Sequence, residues 1–249
     1  QESRYVTAFA DTKAYELAKA VERKDLRKIG RLVEEDSSLL NVTNPTSGSN
    51  VLALALRVGE YDVLEKLLEL GADPNAINPY TKHSILIDAV KPFGSQLEWR
   101  KEPQYVELLL NSGADPNYAI EDPFTNDKKE YVIATSPLMR AARLDLNVLK
   151  LLIKHGADPH KKLGERQLAL LGEAIGASKF DIIDYLIDDI GLDVNQPMRV
   201  RKNDSLFIQD YIKKFMNYQE GSEGDKNKQK LIEKLERLGV DFKNYDYKL

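Results

Sequence analysis

Three histidines, His83, His155 and His160, are the side chains of this sequence that could ligate a metal or move a proton near neutral pH. His155 and His160 flank the loop at residues 156–159, where a metal ion could be held together with Asp158. Structural metal sites need donors that converge more closely than this. The simpler interpretation is that His155 caps the end of a helix and His160 replaces a loop asparagine, so we predict no metal site.

A second candidate motif lies near the C-terminus, where Asp225, Asn227, Gln229 and Glu236 have a spacing similar to that of a calcium-binding loop. Lys230 stands where such a loop needs glycine, and the lysines next to these ligands would repel the cation. We therefore predict no calcium site and no other cofactor.

Catalytic chemistry is not indicated either. The chain has no cysteine, which excludes disulfides, thiolate zinc sites and a cysteine nucleophile. It contains no nucleophile elbow, phosphate-binding loop or zinc-protease motif. General acid–base catalysis would need a desolvated pocket, which a single layer of helices rarely forms. We predict that the protein is not an enzyme.

The composition narrows the classes of partner. The 249 residues include 36 basic and 40 acidic side chains, a net charge of −4, which argues against a nucleic-acid groove. The longest apolar run, at residues 51–56, is far shorter than the roughly 18 residues of a membrane helix, so no membrane insertion is expected. The start at Gln1 and the lack of cysteine favour a periplasmic or secreted protein, with a cytoplasmic one as the alternative. A monomer is expected.

A repeated loop organises the chain. Gly-Ala-Asp-Pro begins at Gly71, Gly113 and Gly156, and weaker copies begin at Gly191 and Gly239. These glycines are 42, 43, 35 and 48 residues apart, which indicates a unit of about 33 to 35 residues with insertions.

Each loop follows apolar residues at helical spacing, so its glycine is predicted to end a helix in the left-handed conformation. The aspartate then accepts backbone N–H groups in the turn. A shorter helix is predicted upstream of each of the first four, opening at residues 49–55, 84–90, 136–142 and 169–175.

These features resemble the ankyrin-repeat family, whose unit pairs a Thr-Pro-Leu-His helix start with a Gly-Ala-Asp loop. Ser-Pro-Leu-Met-Arg-Ala-Ala at residues 136–142 and the loop at 156–158 are the best match, and the resemblance covers roughly residues 12–243. It implies an all-α ankyrin-repeat solenoid, of a bacterial type with degenerate repeats. The family's histidine is replaced by Ala53, Ile87, Met139 and Gly172, so apolar packing is expected there.

The resemblance divides a single domain, residues 1–249, into six repeats at about 11–44, 46–78, 80–119, 132–162, 165–198 and 203–246. The first and last are expected to cap the array. Insertions at 91–103, 119–134 and 217–228 either bind a partner or only pack on the scaffold. For the first, which contains Trp99, packing on the helix ends is favoured, and the last is predicted to be a mobile polar loop.

The expected binding surface is the concave groove made from the finger loops and the first helix of each repeat. Tyr and Arg at these places are typical interface anchors, although Tyr118 and Phe124 could instead pack the enlarged finger on the scaffold. The predicted contact residues are Asn78, Tyr80, Lys82, Tyr118, Phe124, Met139, Arg140, Arg143, Arg199 and Arg201.

The predicted function is a non-catalytic protein–protein interaction module that acts as an adaptor or inhibitor, with an immunity-type inhibitor of a toxin or secreted enzyme as its narrower form. The alternative is a stabilising accessory of a neighbouring enzyme, bound by the convex face or the caps. A third hypothesis is a ligand-binding or catalytic pocket under the enlarged finger. The charge is uneven, because residues 196–249 hold 12 basic and 9 acidic side chains, which would orient a charged partner.

Overall fold

The computed structural model of the chain describes residues 2–90, 103–202 and 204–248. The prediction for the insertion that contains Trp99 therefore lies outside the described residues. The chain divides into two compact units. Unit 1 comprises Gln1–Tyr118 and Phe124–Val132, and unit 2 comprises Ala119–Pro123 and Ile133–Leu249. Within the described ranges, no helix is both long enough and apolar enough to cross a lipid bilayer.

Unit 1 is built from antiparallel helix pairs that stack side by side. The first helices of the pairs, α2, α4 and α6, pack in that order, and fully buried leucines such as Leu17, Leu52 and Leu86 lie on them. Its elements are α1 (Arg4–Thr7), α2 (Tyr15–Glu22), α3 (Leu26–Glu35), a 3-10 helix (Ser37–Asn41), α4 (Val51–Val58), α5 (Tyr61–Glu69), α6 (Ile85–Val90), α7 (Gln104–Asn111), β1 (Phe124–Thr125) and β2 (Tyr131–Val132).

Unit 2 repeats the same arrangement, with α10 packed between α8 and α12. Leu149, Ile175 and Ile182 are fully buried in it. Its elements are α8 (Pro137–Ala142), α9 (Leu146–Lys154), α10 (Leu170–Gly176), α11 (Phe180–Asp184) with a π-helical turn (Tyr185–Asp189), β3 (Arg199–Arg201), β4 (Asp204–Leu206), α12 (Ile208–Phe215) and α13 (Glu223–Arg237). The single domain with six repeats stays a prediction.

The turn chemistry predicted for the repeated loop is confirmed. Asp73 Oδ1 accepts the backbone N–H of Asn75 at 2.8 Å, and the corresponding bond recurs in the loops of Asp115, Asp158 and Asp193. The glycine that opens each of these loops has a positive φ, for example +94° at Gly71. An L side chain rarely adopts this backbone conformation, so glycine is the natural residue there.

Both loop histidines have the structural roles predicted for them. His155 is the C-cap residue of α9, and the N–H of His160 bonds to Asp158 Oδ1 at 2.9 Å in the way a loop asparagine would. Among the described residues no three metal-binding side chains come together.

The helix starts hold together without the histidine typical of the repeat. Ser136 Oγ accepts the N–H of Met139 at 3.1 Å, and Ser84 Oγ accepts that of Ile87 at 3.2 Å. The side chains of Ile87 and Met139 are buried, so apolar packing replaces the histidine at these two positions as expected. At Gly172 the histidine is excluded for lack of space, because even a Cβ there would lie 3.1 Å from the Tyr211 ring.

The loop predicted at residues 217–228 is wrong in its second half, because α13 begins at Glu223. Ser222 is the N-cap, and its hydroxyl accepts the N–H of Asp225 at 3.2 Å. The Asp225 carboxylate in turn accepts the N–H of Gly221 at 2.9 Å. Acidic side chains in the first turn of a helix are favoured by the helix dipole. These local bonds outweigh the polar composition that suggested a mobile loop.

The last residues of unit 2 fold back onto α12 and are held by one buried carboxylate. Asp210 is 1% exposed and accepts three hydrogen bonds, from the Phe207 N–H at 3.0 Å, the Tyr245 hydroxyl at 2.6 Å and the Lys248 N–H at 2.8 Å. The Tyr245 ring also packs edge-on against Phe207. We call Asp210 and these three donors the C-terminal clamp.

The clamp should weaken at high pH. Burial, and then the hydrogen bond to Asp210, raise the pKa of Tyr245 above its ordinary value of 10. A group whose pKa is raised on folding stabilises the folded state fully below its unfolded pKa, and this stabilisation is lost as the pH rises through the folded pKa. We expect the stability advantage of the wild type over Tyr245→Phe to shrink above about pH 10. Urea unfolding of both proteins between pH 8 and 11 measures it, and an advantage that does not change with pH would contradict the assignment.

Candidate functional site

The fingers of unit 1 are joined to one another by hydrogen bonds. The side-chain amide of Asn78 donates to the Ser47 carbonyl at 2.9 Å, and the Tyr80 hydroxyl donates to the Pro45 carbonyl at 3.0 Å. The Tyr118 hydroxyl donates to the Lys82 carbonyl at 2.8 Å, and burial raises the pKa of Tyr118. Successive fingers are therefore fixed relative to each other. We call the loops at residues 44–49, 77–84 and 118, together with the hairpin at 124–132, the finger row.

Lys128, at the tip of the hairpin formed by β1 and β2, fastens the enlarged finger to the first finger of the row. Its ammonium group donates to the Pro45 carbonyl at 3.1 Å and to the Thr46 carbonyl. It also lies 3.9 Å from the centre of the Tyr80 ring. Asn126 shapes the tip, since its side-chain oxygen accepts the N–H groups of Lys128 and Glu130. This part of the insertion therefore packs on the scaffold.

We expect Lys128→Ala to loosen the hairpin without unfolding the unit. The variant loses one exposed cation–π contact and the hydrogen bonds of its ammonium group, worth about 1 kcal/mol together. Amide hydrogen exchange in the hairpin should accelerate about fivefold. Lys129→Asn is the matched control, because Lys129 is exposed and has a φ of +61° that asparagine tolerates. Equal exchange in the two variants would refute the role of Lys128.

The same hairpin exposes an aromatic side chain. Tyr131 is 64% exposed, and its cross-strand partner Thr125 is exposed on the same face. The neighbouring pair, Phe124 and Val132, faces the other way, and Val132 is buried. Large exposed aromatics on a braced hairpin bury much area at little entropic cost when a partner binds.

A small recess lies beside the second finger. It is lined by residues including Asn50, Ala53, Ile77, His83 and Asp88, and its volume of about 20 Å³ leaves room for roughly one water molecule. His83 Nδ1 lies 2.7 Å from Asp88 Oδ1, so the two side chains tie the finger to α6. The recess is too small for an organic ligand.

The fingers of unit 2 are braced in a similar way. Glu121 Oε2 accepts the N–H of Gly164 at 3.0 Å, and Asp122 Oδ1 accepts that of Glu165 at 2.9 Å. Lys161 forms a 2.7 Å ion pair with Glu121, and this contact together with the Gly164 N–H lowers the pKa of Glu121. The next finger follows through β3, where the N–H of Val200 donates to the Arg166 carbonyl at 2.7 Å.

The first helices of unit 2 present charged and aromatic side chains next to the β3–β4 finger. Arg143 and Glu173 form a 3.1 Å ion pair between α8 and α10. The rings of Tyr211 and Phe215 on α12 lie 5.4 Å apart, and Phe215 is 42% exposed. Burial raises the pKa of Tyr211 and Glu173 adds to this, whereas Arg199 and Arg201 act in the opposite direction.

The structure separates the predicted contact residues into three groups. Lys82, Arg143 and Arg201 are exposed. A second group is half-buried, and most of its members hold the scaffold together: Asn78, Tyr80, Tyr118, Phe124 and Arg199. Met139 and Arg140 are only 5% and 9% exposed, so the accessible position predicted for these two is wrong. Both lie on α8, whose six residues are all buried.

Comparison with known proteins agrees with the repeat. The model of the ankyrin repeat matches residues 47–79 and 135–162. The chain is similar to cyclin-dependent kinase 4 inhibitor B of Rattus norvegicus, with 37% identity over 107 residues, covering 43% of this chain and 67% of the rat protein. The Mus musculus protein of the same name is 36% identical over the same length. The chain belongs to the ankyrin-repeat family.

A bacterial relative extends the comparison. An ankyrin repeat-containing protein of Treponema pallidum (strain Nichols) is 31% identical over 119 residues, which are 47% of this chain and 34% of that protein. The ankyrin repeats of this chain thus have relatives in mammals and in a spirochaete.

Four residues of the fingers and of α12 were not predicted as contacts from the sequence. Lys128 and Tyr131 lie in an insertion outside the repeat pattern, so periodicity cannot assign them. Tyr211 and Phe215 are four residues apart on α12, a spacing that places two side chains on one helix face. That spacing could have singled them out, although the degenerate last repeat obscured it.

Proposed function

We propose that the chain is a non-catalytic ankyrin module that holds one protein partner on its finger loops and first-helix faces, as an adaptor or inhibitor. The observation that carries the proposal is the finger row of unit 1, which is fixed by Asn78, Tyr80, Tyr118 and Lys128 and leaves Tyr131 exposed. A surface that is already rigid loses little conformational entropy when a partner binds.

A protein fits this surface better than other ligands do. The recess beside the second finger holds about one water molecule, and the net charge of −4 disfavours a nucleic acid. The contacts are proposed for each unit separately: Asn78, Tyr80, Lys82, Tyr118, Phe124 and Tyr131 in unit 1, and Arg143, Arg199 and Arg201 in unit 2. Met139 and Arg140 leave the set because they are buried.

The names of the relatives support an inhibitory role. Two of them are cyclin-dependent kinase 4 inhibitors, and the match spans two thirds of the rat protein. We propose a protein kinase as the first class of partner to test. Purified cyclin-dependent kinase 4, assayed with and without the chain, gives a direct answer: loss of phosphorylation supports an inhibitor of this class, and unchanged phosphorylation removes this kinase from the proposal.

The binding surface is tested by affinity capture from an extract of the native host. We expect wild type to retain a protein that Tyr131→Ser retains at least tenfold less well, because one central aromatic anchor is often worth more than 1.4 kcal/mol. Leu238→Ser is the matched control, since Leu238 is an apolar residue that is 47% exposed at the end of α13.

Both variants must melt at the temperature of the wild type for the comparison to count. Equal retention by the two variants would move the binding surface away from the finger row. Loss of retention only in Leu238→Ser would favour the accessory hypothesis, in which the caps bind.

A further inference from the structure

A group of basic and aromatic side chains in unit 2 has a chemistry that the finger row does not have. We define the basic-aromatic face as Arg143, Arg199, Arg201 and Phe215. Arg143 and Tyr211 lie on either side of α10, where Gly172 and Gly176 leave the helix without side chains. A Cβ on Gly172 would lie 3.1 Å from the Tyr211 ring, and one on Gly176 would lie 3.6 Å from Arg143 Nη1. Gly172 is buried, so the Tyr211 ring covers α10 there and supports the face from below.

Two arginines of the face lie on β3. Arg199 and Arg201 are two residues apart on β3, so their side chains leave the strand on the same side. Both act electrostatically on Tyr211. The adjoining Lys202 and Lys214 are exposed, and the ammonium group of Lys214 lies 5.4 Å from the Phe215 ring centre.

The acidic side chains named here compensate only part of that positive charge. Glu173 is paired with Arg143 at 3.1 Å. Asp210 is buried and bonded within the C-terminal clamp. Asp204 lies opposite Arg201 in the hairpin and can balance one charge. The arginines and lysines at the face therefore exceed the carboxylates available to them.

The Nε–H group of Arg199 also lacks a hydrogen-bond acceptor. Its Nε is buried and has no partner among the described residues. A buried donor without an acceptor is unfavourable for the folded state. Arg199 as a whole is only half-buried, and a partner carboxylate bonded to its guanidinium would offset this cost. Arginine binds carboxylates through two parallel hydrogen bonds, which gives such a contact a defined geometry.

We propose that the basic-aromatic face binds an acidic segment of the protein partner that carries one aromatic or large apolar residue. Carboxylates of the segment pair with Arg199 and Arg201, and its apolar side chain packs on Phe215, which is 42% exposed. Charge complementarity selects an acidic occupant. The inference rests on the proposed function, because it assumes a protein partner. It adds the chemistry of one segment of that partner.

The probe is a fluorescein-labelled peptide of glutamates around a single phenylalanine, titrated with the full chain by fluorescence anisotropy. We expect saturable binding that Arg199→Glu/Arg201→Glu weakens at least tenfold and Phe215→Ala weakens about threefold. Lys226→Glu/Lys230→Glu is the matched control, because these lysines are exposed on α13 and their reversal changes the net charge equally. If the double variant does not fold, the peptide affinity of the single variant Arg201→Glu, at an exposed position, is compared with that of the wild type instead.

Three results would overturn the inference: no saturable binding of the peptide, equal weakening in the α13 control, or an oligothymidylate of equal charge that binds as tightly and competes. The last would indicate a nucleic acid. If the peptide does not bind but the finger row still captures a partner from the extract, only the proposal of an acidic segment is overturned. Peptide binding that depends on Arg201, with no partner captured from any extract, supports the face and removes the proposed function.

Discussion

Asp210→Ala is expected to lower the free energy of unfolding by about 3 to 5 kcal/mol, the largest stability effect we predict for a single side chain. The carboxylate is 1% exposed and accepts hydrogen bonds from Phe207, Tyr245 and Lys248. Its removal leaves three donors without an acceptor. It also releases the chain end that covers α12, so water reaches the last core layer of unit 2.

Chemical denaturation measures the loss, and limited proteolysis at Lys243 and Lys248 reports release of the chain end. Tyr245→Phe removes only one of the three bonds and should cost about 1.5 to 2 kcal/mol. Asp246→Ala is the matched control, because this carboxylate is 90% exposed and should change stability by less than about 0.5 kcal/mol. Equal losses at Asp210 and Asp246 would show that the clamp does not hold the C-terminus.

The part of the fold that is local in sequence could be predicted from it. The Gly-Ala-Asp-Pro loops encode their own turn, because the aspartate bonds two residues ahead and glycine accepts the positive φ. Helix starts such as that at Ser136 are equally local. These signals need no knowledge of the rest of the chain, and they were sufficient to identify the ankyrin fold.

What could not be predicted depends on contacts between distant segments. Lys128 donates hydrogen bonds to two carbonyls that lie 82 and 83 positions before it in the chain, and no sequence motif predicts such a contact. Asp210 reads as a surface acid on an amphipathic helix until the chain end, 35 and 38 residues later, covers it. The prediction of a mobile loop before α13 was wrong for another reason. The hydrogen bond of the capping residue Ser222 favours a helix there, although the average composition of the segment is polar.

The candidate site stays a prediction, and the structure tests only how exposed its residues are. The sequence predicts finger tyrosines and arginines as contacts from their place in the repeat. The Tyr80 hydroxyl nevertheless donates a hydrogen bond to the Pro45 carbonyl, and its ring contacts the Lys128 ammonium group. Arg140 shares a short helix with five other buried residues, so its position in the repeat gave the wrong exposure. Repeat position fixes the direction of a side chain, whereas insertions and neighbours decide whether it is accessible.

Gly164→Ala is expected to cost about 3 to 4 kcal/mol and to break the brace between two fingers of unit 2. Gly164 has a φ of +60°, which by itself costs an alanine about 1 kcal/mol. The larger part is steric. A Cβ here would lie 2.1 Å from the Glu121 carbonyl oxygen and 2.3 Å from Asp122 Oδ1. Relieving the clash means moving the backbone at Glu121, which pulls both carboxylates away from the N–H groups of Gly164 and Glu165.

Gly156→Ala separates the steric cost from the backbone cost, because Gly156 has a φ of +92° and nothing within 4 Å of a new Cβ. It should cost only about 1 to 2 kcal/mol. Denaturation curves of the two variants give the difference, and hydrogen exchange at Gly164 and Glu165 reports the lost brace. If the two alanine variants lose the same free energy of unfolding, the fingers of unit 2 do not depend on the close contact between Gly164 and Glu121. A larger loss at Gly164, with faster exchange confined to the finger, means that the finger of the proposed binding surface is preorganised by backbone contacts that tolerate no side chain.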